Sequence, residues 1–163
     1  MDNHSYKVSE LVGKSVVSLS DGVKVGTVKD VLIDTGTMVA GALLVAGDSG
    51  RGGLPFAQIT NIGQDAITIE TAQAVFWASA NTPGPGREAG EIKGLPVVDA
   101  SGTVVGNVHD IDLLNNRVQS LIVRSGGVFG LGANDSVVPV SAIRSIGAKL
   151  VTVEVAPVGP QNP

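Results

Sequence analysis

Val25-Gly26-Thr27-Val28-Lys29-Asp30-Val31 returns later in the chain as Val105-Gly106-Asn107-Val108-His109-Asp110-Ile111. Valine, glycine, valine and aspartate keep their order and spacing in both segments. Each reads as part of one long β-strand, because β-branched residues dominate and no helical period of apolar residues is present. The matches continue on both sides. Glu10-Leu11-Val12-Gly13 corresponds to Glu91-Ile92-Lys93-Gly94, and Val16-Val17 to Val97-Val98. Further on, Pro55-Phe56-Ala57-Gln58-Ile59 corresponds to Pro139-Val140-Ser141-Ala142-Ile143. Ile62-Gly63 then matches Ile146-Gly147, and Thr68-Ile69-Glu70 matches Thr152-Val153-Glu154.

Six matching blocks in one order make this a duplicated unit. The unit is too long for a solenoid repeat and has the size of a very small domain. A domain that small folds marginally alone, so the two copies are expected to pack on each other or on another chain. The expected boundaries are 7–78 for the first unit and 91–156 for the second. Residues 79–90 read as a linker, because the Pro-Gly pairs at 83–84 and 85–86 continue neither a helix nor a central strand. Residues 157–163 read as a flexible tail for the same reason.

Within each copy the expectation is all-β. Lys14 to Leu19 forms a strand and Ser20-Asp21-Gly22 a turn. Val23 to Ile33 is a long strand carrying Val23, Val25, Val31 and Ile33 on one face. The chain turns at 34–37, returns as a buried strand over Met38–Val45, and enters a Gly-rich loop over Ala46–Gly53. Leu54–Phe56 is a short strand leading into one helical turn near Ala57–Ile59, and two more short strands flank Gln64-Asp65. Short strands with regular turns favour two small barrels over an open sheet, because closure removes unpaired edges.

Composition narrows the chemistry. Of 163 residues, 43% are hydrophobic and 16% charged, enough apolar content for a core. Aromatics are only 3%, so Val, Ile, Leu and Ala must fill that core. The net charge of −4, with no basic run, argues against direct nucleic-acid binding, which rests on Lys and Arg neutralising phosphates. No cysteine is present, which removes disulfides and thiolate chemistry and fits a cytoplasmic setting. The densest apolar run, Met38–Ala46, is far shorter than the about 20 residues a spanning helix needs. Membrane insertion is therefore not expected, and only peripheral association stays open.

The run Ser20 to Asp34, followed by a turn and the apolar Val39–Val45, resembles the opening half of a PRC-barrel domain. Leu54-Pro55-Phe56-Ala57-Gln58-Ile59 is similar to that family's barrel-closing segment. The second copy shows the likeness at Asp99–Asp110 and Val138–Ile143, and departs from it at Asp112, where an apolar residue is usual. The family includes the cytoplasmic barrel of the photosynthetic reaction-centre H subunit and the C-terminal domain of a ribosome maturation factor. The resemblance implies two tandem PRC-type β-barrels, protein contact in place of catalysis, and no cofactor. It names no partner.

Asp30 and Asp110 recur at equivalent positions, so a structural role is expected, each accepting backbone N–H groups at a barrel end. Gly26 and Gly106 mark a bend or bulge. The segment Gly47-Asp48-Ser49-Gly50-Arg51-Gly52-Gly53 lacks the lysine and following helix of a phosphate cradle and reads as a flexible surface loop. His4 and His109 have no partner at metal-ligand spacing. Asp110 and Asp112 share a strand face, read as solvated. Phe76 and Trp77, after a helical turn that Thr71 is placed to cap, and Phe129 and Leu131, in a second Gly-rich loop, are the candidate contact residues. The leading expectation is a non-enzymatic interaction or assembly adaptor, with homo-oligomers among its outcomes. The alternatives are a ribosome- or RNA-processing accessory factor and a small-ligand or ion-binding barrel.

Overall fold

A computed structural model describes residues 4–77, 86–126 and 134–154. The first unit holds β1 (Ser5–Lys7), a helical turn α1 (Val8–Leu11), β2 (Ser15–Ser18), β3 (Lys24–Asp34) and β4 (Val39–Gly47). It continues through β5 (Gly50–Pro55), β6 (Ile59–Ile62), β7 (Ala66–Ile69) and β8 (Phe76–Trp77). The second unit holds β9 (Arg87–Glu88), α2 (Ala89–Ile92), β10 (Pro96–Asp99) and β11 (Val104–Leu114). It ends with β12 (Arg117–Ser125), β13 (Asn134–Pro139), β14 (Ile143–Ile146) and β15 (Val151–Val153). The fold is all-β, as expected, and the described helices are single turns. No described helix is long and apolar enough to cross a membrane.

Strand order repeats with the sequence. The first unit runs β5-β4-β3-β2-β7-β6 and the second β13-β12-β11-β10-β15-β14. In both, one parallel pair (β2–β7, β10–β15) sits among antiparallel ones. Single 3-10 turns at Phe56–Gln58 and Val140–Ala142 carry the chain from one end of this order to the other. Residues 87–90, read as linker, form β9 and the first half of α2. The Pro-Gly pairs end at position 86, and no proline lies within 87–90 to prevent pairing.

The long strand corrects one expectation. Val23 is 51% exposed and Val25 only half-buried, while Val31 and Ile33 are buried. Val28 pairs with Val45 but Asp30 with Leu44, so Lys29 is an unpaired extra residue. This bulge shifts the alternation by one position. Gly26 and Val28 face inward before it, and Val31 and Ile33 after it. The second unit repeats the device, with His109 as the extra residue between Val108 and Asp110.

A second bulge lies beside each strand glycine. Gly26 pairs with Val16 and Lys24 with Val17, which leaves Val25 extra; Gly106 and Val105 do the same opposite Val97 and Val98. The strand bends sharply here and crosses close to its neighbour. A β-carbon at Gly26 would lie 2.6 Å from the Ala46 carbonyl oxygen, and one at Gly106 would lie 2.6 Å from that of Arg124. Glycine is required because the opposing backbone occupies the space of a side chain.

The two units interlock. β1 of the first unit pairs with β11 of the second, with Tyr6 opposite Leu113. Reciprocally, β9 of the second pairs with β3 of the first, with Arg87 opposite Ile33. Val39 and Arg117, the first residues of β4 and β12, also face each other. The amide of Ala40 donates to the Asn116 carbonyl, and that of Val118 to the Met38 carbonyl. These exchanges are equivalent in both directions, as a pseudo-twofold axis requires. Most buried apolar residues of both units form one hydrophobic cluster. Leu11 and Ile92, at the ends of α1 and α2, are fully buried in it, each contributing about 1.5–3 kcal/mol.

Substituting either strand glycine by alanine forces the crossing strands apart. Gly26→Ala and Gly106→Ala are each expected to lower the unfolding free energy by about 1–3 kcal/mol, measured by urea denaturation. A loss below 0.5 kcal/mol at both positions, within the range of neutral surface changes, would contradict the close crossing.

Candidate functional site

Asp30 and Asp110 follow the bulges, so their carboxylates point away from the side on which Val28 and Val108 lie. There they meet the helical turns that begin the other unit. The Gly90 amide donates to both Asp30 oxygens, at 3.2 and 3.1 Å. Asp30 Oδ1 also accepts from the Val31 amide at 2.8 Å. On the other side, the Ser9 amide donates to Asp110 Oδ1 at 3.2 Å and the Ser9 hydroxyl to Asp110 Oδ2. The Ile111 amide completes the set, donating to Asp110 Oδ1 at 2.9 Å.

Each aspartate therefore caps a helical turn of the other copy, where the expectation placed it at its own barrel end. Backbone N–H groups in the first turn of a helix have no intrahelical acceptor, and a carboxylate supplies one. Asp110 is only 5% exposed, so the solvated face proposed for Asp110 and Asp112 is corrected. Burial at the junction of the units removes water from it. Asp112 remains half-buried and accepts from the Ser120 hydroxyl at 3.2 Å. The Lys93 ammonium lies 3.9 Å from Asp110 Oδ1 and sets a partial countercharge there.

Ser9 and Gly90 were not singled out in the sequence. The available signal was a small residue immediately before the aligned Glu10 and Glu91. The two differ for a steric reason: a β-carbon at Gly90 would lie 2.9 Å from Asp30 Oδ2.

The Gly-rich segment after β4 is not a loop. Gly47 pairs with Gly50 across the two residues Asp48 and Ser49, and β5 runs back along β4. Its glycines make room for Trp77. A β-carbon at Gly47 would lie 2.9 Å from Trp77 Cη2, and one at Gly52 would lie 2.8 Å from Trp77 Cε3. Close approach of the indole and of neighbouring backbone accounts for Gly47 and Gly52, and a φ of +104° accounts for Gly50 in the turn.

Phe76 and Trp77 separate in role. β8 pairs with β5, Trp77 opposite Gly52 and Phe76 opposite Gly53. Trp77 packs on the core and Val75 is buried, whereas Phe76 is 63% exposed. The preceding residues Ala72–Ala74 form a 3-10 turn, but Thr71 makes no side-chain cap. Phe129 and Leu131 lie outside the described residues. Position 109 is exposed, and among the described residues no group of three or more His, Asp or Glu side chains is placed to hold a metal ion.

Clefts between the units differ in size, and one lined by Thr35, Arg87, Glu91, Ile146 and Ala148 is open and about 630 Å³. Phe56, Ala57, Ile62, Asn115 and Asn116 line an apolar one of about 230 Å³. That lies below the about 300–1,000 Å³ of ordinary ligand pockets. Around the pseudo-twofold axis, the corresponding region holds Arg87, whose guanidinium donates to the Gly147 carbonyl at 2.7 Å. In the outer hairpin of the second unit, Arg124 donates to both oxygens of Asp135. These bonds hold the Asp135 carboxyl below its ordinary range.

Two predictions follow from these contacts. Asp110→Ala is expected to cost about 2–3 kcal/mol and Asp30→Ala about 1–2, with Asn recovering part of each, in a single urea transition. Two separated transitions would show that the caps do not couple the units. Because the folded Asp135 value is lowered, its contribution is complete above the ordinary carboxylate value, about 3.9, and fades only as pH falls through the lower one. In an NMR titration, Arg124→Gln should raise the Asp135 midpoint towards that value.

Comparison with protein families finds the PRC-barrel domain twice in this chain, over residues 3–75 and 86–157. A search of curated proteins returns no match. The matched segments coincide with the two interlocked units and begin near β1 and β9, the strands each unit gives to the other. The chain therefore belongs to the PRC-barrel domain family and carries that domain twice in tandem.

Proposed function

We propose that this protein is a non-enzymatic interaction or assembly module, with Phe76 as a contact residue. The observation that carries this reading is the way Phe76 is held. Val75 before it is buried, Trp77 after it packs on the glycines of the β4–β5 hairpin, and Phe76 is 63% exposed. A backbone held by packed neighbours on both sides gives up little freedom when its exposed aromatic side chain meets a partner, which favours binding. Large aromatic side chains also dominate the energy of protein interfaces.

The candidate polar groups support the same reading from the other side. Asp30 and Asp110 commit both oxygens to backbone amides or a hydroxyl of the other unit. Groups engaged in this way hold structure together and are poorly placed to move protons for a substrate.

The test is affinity capture from the native cell with the wild-type chain and with Phe76→Asp. The variant should unfold at the same urea midpoint, because the altered side chain is mostly in water. A protein retained by the wild type should be lost or bound at least about thirtyfold more weakly by the variant, the effect of removing a contact worth about 2 kcal/mol. Identical bound sets from a folded variant would remove Phe76 from the interface.

A further inference from the structure

We infer that the interface between the two units is competent between separate molecules, so that two copies of this chain exchange units, the first of one closing on the second of the other. This is independent of the interaction-module reading. It rests on the pseudo-twofold character of the junction. β1–α1 of the first unit docks on β11, and β9–α2 of the second docks on β3. Asp30 receives Gly90, and Asp110 receives Ser9. Val39 and Arg117 meet at the centre of the junction, flanked by two hydrogen bonds that the axis interchanges.

Every one of these contacts joins one unit to the other, and none depends on which chain supplies the partner. Such a self-complementary contact is that of a twofold dimer. Here the dimer is drawn inside one chain by the covalent connection through residues 78–85. Exchange between two molecules then breaks no type of contact that it does not also re-form. The closed single chain and the exchanged pair differ mainly in effective concentration, about millimolar for a short connector. At micromolar protein the closed form dominates, and the exchanged form must be trapped to be seen.

The sequence allows a clean trap, because the chain has no cysteine. Val39 and Arg117 are opposite each other as a pair that exchanges no hydrogen bonds directly, since the bonds run between their neighbours. Such a pair places its Cα atoms about 4.5 Å apart, within disulfide range. One full-length chain carries Val39→Cys and another carries Arg117→Cys. The two are unfolded together, refolded as a mixture at high concentration in a thiol–disulfide buffer, and separated without reductant. Mass spectrometry identifies the linked peptides.

The expected product is a covalent 39–117 heterodimer, at least about ten-fold in excess over 39–39 and 117–117 links, because only exchange holds the first pair together at high effective concentration. The same chains refolded separately and then mixed should give far less of it. The double variant in one chain should form an internal disulfide and stay monomeric. A random distribution of links, or none, would overturn the inference, and so would failure of the double variant to close internally. As a measurement free of substitutions, light scattering on the wild-type chain, refolded at concentrations rising to about a millimolar, should show a growing dimer fraction as the effective concentration is reached. A constant monomer mass across that range would equally overturn it.

Discussion

A carboxylate that accepts the first amide protons of another unit's helical turn leaves both units incomplete without each other. Asp30 and Asp110 do this in opposite directions, through Gly90 and Ser9. The helical turns they cap end in Leu11 and Ile92, which fill the shared hydrophobic cluster. Capping and burial therefore act on the same element: lose the carboxylate and the turn frays, and an apolar side chain is withdrawn from the core. Small barrels bury little surface alone, and this reciprocal arrangement compensates by doubling the effective size of the core. It also explains why residues 87–90, which a reading by composition assigns to the linker, form β9 and the start of α2.

The bulges determine where those carboxylates point. Without an extra residue at Lys29 or His109, simple alternation would carry Asp30 and Asp110 to the same side of the strand as Val28 and Val108. Two bulges per long strand also supply curvature, and the glycines between them let the strand cross its neighbour at contact distance. Fold and junction thus depend on the same local irregularities. This accounts for the recurrence of Val-Gly-x-Val-x-Asp in both copies better than a conserved chemical site would, since curvature and capping are needed wherever the fold is.

The copies diverge where one of them has taken on something further. In the first, glycines at 47 and 52 admit Trp77, and β8 covers the outer edge of the β4–β5 hairpin with Phe76 facing water. In the second, Ser125 and Ser136 stand at the corresponding places, and Arg124 pairs with Asp135 across the hairpin. One unit thus presents an aromatic contact and the other a charged one, on a framework held rigid by the shared junction. Under the proposed function, that asymmetry would set the orientation of a partner on a pseudo-symmetric body.

The duplication, the all-β class, the turn positions and the membership of the repeated unit in one family were legible in the residues, because period, β-branching and glycine placement are local properties. The importance of Asp30, Asp110, Gly26 and Gly106 was legible for the same reason: they recur. Which atoms they touch was not. Alternation read through Val23 to Ile33 missed the bulge, because an inserted residue leaves no mark until the opposing strand is counted. The glycine run at 47–53 looked like a loop, because the indole that crowds Gly47 and Gly52 lies many residues away. Whether each carboxylate served its own unit or the other was decided only by tertiary structure, since nothing in a linear sequence distinguishes a contact within one copy from the same contact made across to its twin.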